Sequence, residues 1–370
     1  MSLQNRIALV AGATRGAGRG IACALGEAGA TVYCSGRSTR SHSATPGRPE
    51  TIEETAEMVT ARGGTGIPVR TDHTVEADVR ALIDRIRTEH GRLDILINDV
   101  WGGDDLTDWG KPIWEHSLEK GLAMLHNAID SHIITSHYAI PLMLGRDGGL
   151  IVEVTDGVSK SYRGNVFYDL VKSAVIRLAM AMGYELRKRG ITAVAVTPGF
   201  LRSEAMLARF GVTEENWREQ VKRDPHFAES ETPMFVGRAV AAIAADPQRW
   251  RKNGGAFTSW DLSDEYGFVD ADGRRPHWGR YLTGAVDERW KALVEVVRSR
   301  FAERVGQDAP VEVDRSALVL RARVGDVAAD NWITRTVLEP ELFFTAPDAI
   351  ADEFCDQYTR AVTFQEGQSC

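Results

Sequence analysis

Between residues 6 and about 260, short apolar runs alternate with longer amphipathic ones, and this alternation admits one fold class. Ile7–Val10, Thr31–Ser35, Ile67–Arg70, Leu93–Asn98, Leu150–Val154 and Thr192–Thr197 read as buried strands, with Gly254–Ser259 as a further one. Gly18–Ala28, Ile52–Arg62, Val75–His90, Leu118–Leu144 and Tyr168–Arg189 read as the helices between and after them. Uniformly apolar strands, each followed by a helix, imply a parallel sheet covered on both faces. The expected architecture is α/β, a Rossmann-type doubly wound sheet of about seven strands. Such sheets bind ligands beyond the carboxyl ends of their strands, near the switch point.

The pattern changes near residue 285. Ala285–Val305 reads as an amphipathic helix, Ser316–Val324 as a strand, and Pro347–Val362 as a helix with Ile350, Phe354 and Tyr358 on one face. The division expected is residues 1–285 as the doubly wound domain and 286–370 as a C-terminal α/β appendage without a chemical motif, an oligomer arm or a flap over the core. A net charge of −8 without a basic patch argues against nucleic acid as a partner. No stretch approaches the roughly 18 apolar residues of a membrane span, and no secretory leader is read. Cys23, Cys34, Cys355 and Cys370 have no metal or redox spacing. The expected location is the cytoplasm. His116, His126, His132 and His137 are not paired at a metal-ligand spacing, so no metal is expected.

Two motifs carry the chemistry. Gly12-Ala13-Thr14-Arg15-Gly16-Ala17-Gly18 follows the first strand and opens the first helix. A glycine-rich turn there brings backbone N–H groups close to a pyrophosphate at the positive end of a helix. Tyr168-Asp169-Leu170-Val171-Lys172 places a phenol and an ammonium one helical turn apart. A free phenol titrates near pH ~10, and a neighbouring ammonium favours its ionised form. Such a pair can pass a proton to a carbonyl oxygen while hydride moves to or from a nicotinamide.

Together the motifs resemble the short-chain dehydrogenase/reductase family over residues 5–283. Asp72 closes the third strand, where the family contacts adenine, with His73 beside it. Asn98 ends the fourth strand, at the family's Asn-Asn-Ala-Gly motif, here Asn98-Asp99-Val100-Trp101. Pro198-Gly199-Phe200 follows the sixth strand, with Ser203 where the family often has threonine. Leu262–Arg274 looks like the end of the vertebrate "SDR family member one" type and its bacterial relatives. The resemblance implies that Gly12, Thr14, Arg15, Gly16, Ala17, Gly18, Arg37, Asp72, His73, Asn98, Lys172, Pro198, Gly199, Phe200 and Ser203 line a dinucleotide site. It also implies a homodimer or homotetramer built through two long helices.

The second strand ends in Ser35-Gly36-Arg37-Ser38, without the acid that an NAD site uses for its ribose hydroxyls. Arg37 and Arg15 can instead fork onto a 2′-phosphate, so NADP(H) is the cofactor expected. Arg40 and Arg48 could add charge nearby.

The family's remaining catalytic groups are altered. Its serine at the end of the fifth strand falls on Asp156 when aligned along the strand, and on Thr155 when counted back from Tyr168. Thr155 keeps a hydroxyl donor, whereas an ionised Asp156 only accepts. Ser159 is a further hydroxyl within reach of the loop. The family's asparagine in the long helix falls on Ala128, with Asn127 beside it. Phe200, Met206, Leu207, Phe210, Trp217, Phe227 and Phe235, with Trp101, Trp109 and Trp114, would line an apolar or aromatic substrate cleft under a flexible lid. The reading is an NADP(H)-dependent oxidoreductase of a small carbonyl or alcohol substrate, with Tyr168, Lys172 and Asp156 or Thr155 as catalytic residues. The alternative is a non-catalytic NADP(H)-binding sensor or scaffold with a degenerate tetrad.

Overall fold

In a computed structural model the described residues are 2–145, 148–158, 162–305, 311–314, 319–323, 332–336 and 347–368. The chain divides into two compact units, Met1–Ser159 with Gly164–Trp278, and Lys160–Arg163 with Gly279–Cys370.

The first unit is built on a parallel sheet of β1 (Ile7–Ala11), β2 (Thr31–Gly36), β3 (Thr65–Arg70), β4 (Ile95–Asn98), β5 (Leu150–Val154), β6 (Thr192–Thr197) and β7 (Ala256–Thr258). Its order is β3-β2-β1-β4-β5-β6-β7, all in parallel register. The order reverses between β1 and β4, which opens the crevice where such sheets bind ligands. Side chains alternate across the sheet, as a pleat requires. Ala8 and Val10 of β1 join one buried cluster with Ile21, Val32, Ile97, Val152, Val194 and Val240. Ile7 and Leu9 join the opposite one with Tyr33, Ile83, Leu96, Ile151 and Ala193. Both faces are therefore dry, which is why the strands read as unbroken apolar runs. Pro68 sits in β3 at the sheet edge, where a missing N–H costs least.

The covering helices are α1 (Gly16–Glu27), α2 (Ile52–Ala61), α3 (Glu76–His90), α4 (Leu118–Leu125), α5 (Ser131–Met143), α6 (Val166–Leu186), α7 (Glu204–Phe210), α8 (Pro233–Ala245) and α9 (Ser259–Tyr266). Several start on a polar cap that satisfies an otherwise unpaired N–H. Thr51 accepts from Glu54 N–H, Asn165 from Tyr168 N–H and Thr232 from Met234 N–H, with Pro233 at the first helical position. The expected single helix Leu118–Leu144 is interrupted. A π-turn at His126–Asp130 separates α4 from α5, and such bulges recur at functional sites.

The second unit holds most of α10 (Trp278–Val305), α11 (Pro347–Gln368) and an antiparallel sheet of β8 (Val311–Asp314), β9 (Val319–Arg323) and β10 (Trp332–Thr336). Leu293, Val297 and Phe301 of α10 and Ile350, Phe354 and Tyr358 of α11 are buried. Phe301 and Tyr358 meet edge to face at 4.5 Å. Arg300 pairs with Asp348 and Asp352, and Arg304 with Asp352 and Asp356. Helix α10 runs through residue 285, where the sequence pattern changes.

Candidate active site

The glycine loop leaves β1 and enters α1 without a side-chain cap on the helix. Gly12 (φ 91°) and Gly16 (φ 58°) adopt the left-handed region that disfavours other residues. A Cβ on Gly18 would lie 2.3 Å from Gly12 O and 2.8 Å from Asp99 Oδ2, so this glycine serves the packing of loop on loop. A Cβ on Gly16 would meet nothing closer than Ser203 Cβ at 3.8 Å, so the backbone is open on that side. Glu204, the first residue of α7, accepts Gly16 N–H at 2.8 Å and lies 3.5 Å from Arg19. This anion at the positive end of α1 escaped the sequence reading, because it lies far away in the chain.

Arg15 is held 3.4 Å from Glu50, and its buried Nε makes no hydrogen bond among the described residues. Burial lowers its guanidinium from its ordinary value, while the Glu50 charge pulls it back up. Arg37 stands 3.9 Å from Asp72 at the ends of β2 and β3. Ser35 turns inward, donating to Val10 O and meeting His73 Nε2 at 2.8 Å. An unsatisfied guanidinium nitrogen and a second arginine fit the phosphates of a dinucleotide, which would compete with Glu204 for Gly16 N–H.

Two residues expected in that site turn their side chains into the protein interior. His73 is buried, its second ring nitrogen 2.8 Å from Thr135 Oγ1, and burial holds its imidazolium down to about 3. Asn98 is fully buried and donates to Ser136 Oγ and Glu153 Oε1. Both side chains brace the sheet and its flanking helix, because α5 packs over the strand ends they occupy. Asp99, next in line, lies under the glycine loop. Burial pushes its carboxyl up to about 7, against the pull of Lys172, His132 and Gly18 N–H.

At the end of β5 the two readings of the serine position part. Thr155 is buried and donates to Lys172 O at 2.8 Å, so it ties β5 to α6. Asp156 accepts the Tyr168 hydroxyl at 2.7 Å. Ser159 lies outside the described residues. Lys172 Nζ lies 5.4 Å from the Tyr168 ring centroid and 4.0 Å from that of Trp101. Trp101 and Trp109 flank Tyr168, at 5.3 and 5.1 Å between centroids. Asn165 both caps α6 ahead of Tyr168 and donates to Asp108 O, which joins the Tyr168 helix to the Trp109 loop.

Asn127 and Ala128 both lie in the π-turn. Ala128 is buried against the α4–α6 contact with Met124 and Val171. Asn127 points the other way and donates to Gly102 O at 3.2 Å.

The aromatic residues divide by burial. Trp217, Phe227 and Phe235 are core, and Trp114 is 81% exposed. Phe200 packs on Phe227 and Trp278, and Phe210 on Phe227. The root of the segment after β6 is also firmly held. Arg202 is fully buried, bonded to Glu214, Ser230 and Asp272, and stacked 4.1 Å from the Trp217 ring. Among the described residues of that set, Trp109 and Trp114 are exposed and Trp101 and Phe200 are half-buried. Among the described residues no group of three or more His, Cys, Asp or Glu could hold a metal ion, and no helix is long and apolar enough to cross a membrane.

A doubly wound sheet, a glycine loop at its switch point and a Tyr/Lys pair on the helix after β5 define a nucleotide-dependent oxidoreductase. The short chain dehydrogenase family model matches residues 6–211. The chain is 33% identical over 277 residues to "Dehydrogenase/reductase SDR family member 1" of Mus musculus, covering 74% of this chain and 85% of that protein. The Homo sapiens protein of the same name is 33% identical over 282 residues, with the same coverage. A short chain dehydrogenase structure from Mycobacterium thermoresistibile shares the fold at TM-score 0.63 and 23% identity, covering 75% of this chain and 93% of that one. The chain belongs to the short-chain dehydrogenase/reductase family. As a member it is an oxidoreductase that uses a nicotinamide cofactor and acts on a small molecule.

Proposed function

We propose that the chain transfers hydride between NADP(H) and the carbonyl or alcohol carbon of a small apolar or aromatic substrate. The observation that carries this reading is the Tyr168–Asp156 hydrogen bond of 2.7 Å, beside Lys172 and between two tryptophans. NADP(H) rather than NAD(H) is supported by Arg15 and Arg37 at the mouth of β2, where Ser35 has turned away and no acid follows.

The bound cofactor supplies or accepts the hydride. Tyr168 holds the proton that the substrate oxygen gains on reduction. Lys172 sets its ammonium beside the phenol and favours the phenolate left behind. Asp156 takes the serine's place but not its chemistry, since a carboxylate accepts where a hydroxyl would donate. The Tyr168 proton must therefore leave Asp156 for the substrate. The buried Asn98–Glu153 bond ties β4 to β5, and Thr155 ties the end of β5 to α6, beneath this pair. Ile133 on α5 and Leu170, Met180 and Tyr184 on α6 leave apolar surface exposed, which supports an oligomer formed through these helices.

The test is NADPH oxidation with a panel of aldehydes, ketones, diketones and quinones. Tyr168→Phe should abolish turnover and leave NADPH binding nearly unchanged. Asp156→Ser should raise turnover of simple ketones. Turnover surviving in Tyr168→Phe overturns the assignment, and tight NADPH binding without turnover anywhere on the panel favours a sensor instead.

A further inference from the structure

One side chain outside this constellation grips the whole exit from β6. Glu231 is 1% exposed. Its Oε2 accepts two hydrogen bonds, from Gly199 N–H at 2.9 Å and from Ser259 Oγ at 2.6 Å. Its backbone continues the grip. Glu231 N–H donates to Phe200 O at 3.0 Å, and Glu231 O accepts Arg202 N–H at 2.8 Å, in a parallel bridge with Leu201. One residue thus fixes positions 199, 200 and 202 against the start of α9. The site is cramped as well. A Cβ on Gly199 would fall 2.7 Å from Trp278 Cβ and 3.1 Å from Glu231 Oε2.

The sheet's carboxyl edge is where the cleft opens, and the Pro198–Phe200 turn stands there between β6 and α7. A carboxyl group is a costly device for holding a loop in a dry interior, since its other oxygen, Oε1, is buried with no hydrogen-bond partner among the described residues. Two donors on one oxygen define the direction of the Gly199 N–H more tightly than a single bond. Held this way, the turn is tied to α9 independently of α7.

We propose that Glu231 is a positioning residue for hydride transfer: by clamping Gly199 and Phe200 to α9, it sets the wall against which the nicotinamide end of the cofactor lies, and so the distance from that ring to Tyr168. The proposal rests on the NADP(H) reading above. It predicts separable effects at the two ends of the cofactor. The phosphate end meets Arg15, Arg37 and the glycine loop, none of which touches Glu231, whereas the nicotinamide end depends on the clamp.

The experiment uses the full chain carrying Glu231→Ala, Glu231→Gln or Ser259→Ala, at a temperature well below the melting point of each. Three quantities are read: the emission gained by NADPH on binding, the Kd of 2′,5′-ADP (which carries the phosphate end and no nicotinamide), and kcat against KM for NADPH. Glu231→Ala should keep the 2′,5′-ADP affinity within about twofold. It should lose most of the emission gain and at least about tenfold in kcat, since a small misplacement of reacting groups costs that much or more. Glu231→Gln retains an oxygen for both donors and should restore most of the emission and of kcat. Wild-type emission and kcat in Glu231→Ala would overturn the proposal, and so would a loss of 2′,5′-ADP affinity that matches the other losses. If Glu231→Ala does not fold, Ser259→Ala removes one donor alone. It should show the same pattern at about two- to threefold, and a variant identical to wild type would again overturn the proposal. A wild-type chain that binds neither NADPH nor 2′,5′-ADP would instead overturn the cofactor reading beneath it.

Discussion

Glu231→Gln should change how the stability of the protein depends on pH. Burial pushes the Glu231 carboxyl up to about 8 in the folded chain. The bonds from Ser259 and Gly199 and the charge of Arg202 pull it down, and Asp270 pushes it further up. In an unfolded chain a glutamate titrates near ~4.3. Between those values the folded state holds a proton that the unfolded state has released. The unfolded state then binds fewer protons, so stability falls as pH rises. The loss begins above the unfolded value and is complete once pH passes about 8. At about 1.4 kcal/mol per pH unit, the gap is worth about 5 kcal/mol. For a domain of this size that corresponds to roughly 10 °C in melting temperature. Glutamine carries no charge to bury, and Asp270 and Arg202 are present in both proteins. Melting curves of wild type and Glu231→Gln from pH 5 to 9 should therefore diverge, with the variant gaining about 10 °C on wild type across the range. Parallel curves would show that burial does not hold Glu231 protonated.

Two further outcomes follow from the cofactor site. Arg37→Asp should reverse or erase the preference for NADPH over NADH, measured as the ratio of the two Kd values, and an unchanged ratio would sink the 2′-phosphate reading. Gly18→Ala pushes a methyl to 2.3 Å from Gly12 O. It should cost about 1–3 kcal/mol of stability, with a weaker cofactor Kd, as overpacking of a tight contact does; a variant equal to wild type in melting temperature and Kd would show that the loop has room to shift.

The contrast between Thr155 and Asp156 shows where sequence reasoning stops. Counting back from Tyr168 and aligning along β5 give different residues, and both counts are legitimate. In the fold their side chains diverge: Thr155, just past β5, gives its hydroxyl to Lys172 O, while Asp156 meets the Tyr168 hydroxyl. Asn127 and Ala128 part in the same way. Consecutive helical residues point about 100° apart, and packing against α6 decides which of the two faces inward. His73 and Asn98 sit at the expected strand ends, yet their side chains face the α5 side of the sheet rather than the cleft. The aromatic residues after β6 look alike in the sequence, but burial takes Trp217, Phe227 and Phe235 into the core.

What the sequence determined by itself is the fold and the family. Strand and helix periods, the glycine loop and Tyr-x-x-x-Lys are local patterns, written over a few residues and governed by backbone geometry that any such stretch obeys. Which polar atoms meet depends on the packed fold. Glu204 reaches Gly16, Asp156 reaches Tyr168, and Glu231 reaches Gly199 and Ser259, often across large gaps in sequence. Those pairings depend on how strands stack and where a helix bulges, and a hydrogen bond is lost with a shift of about an ångström. The chemistry of this protein lies at that scale.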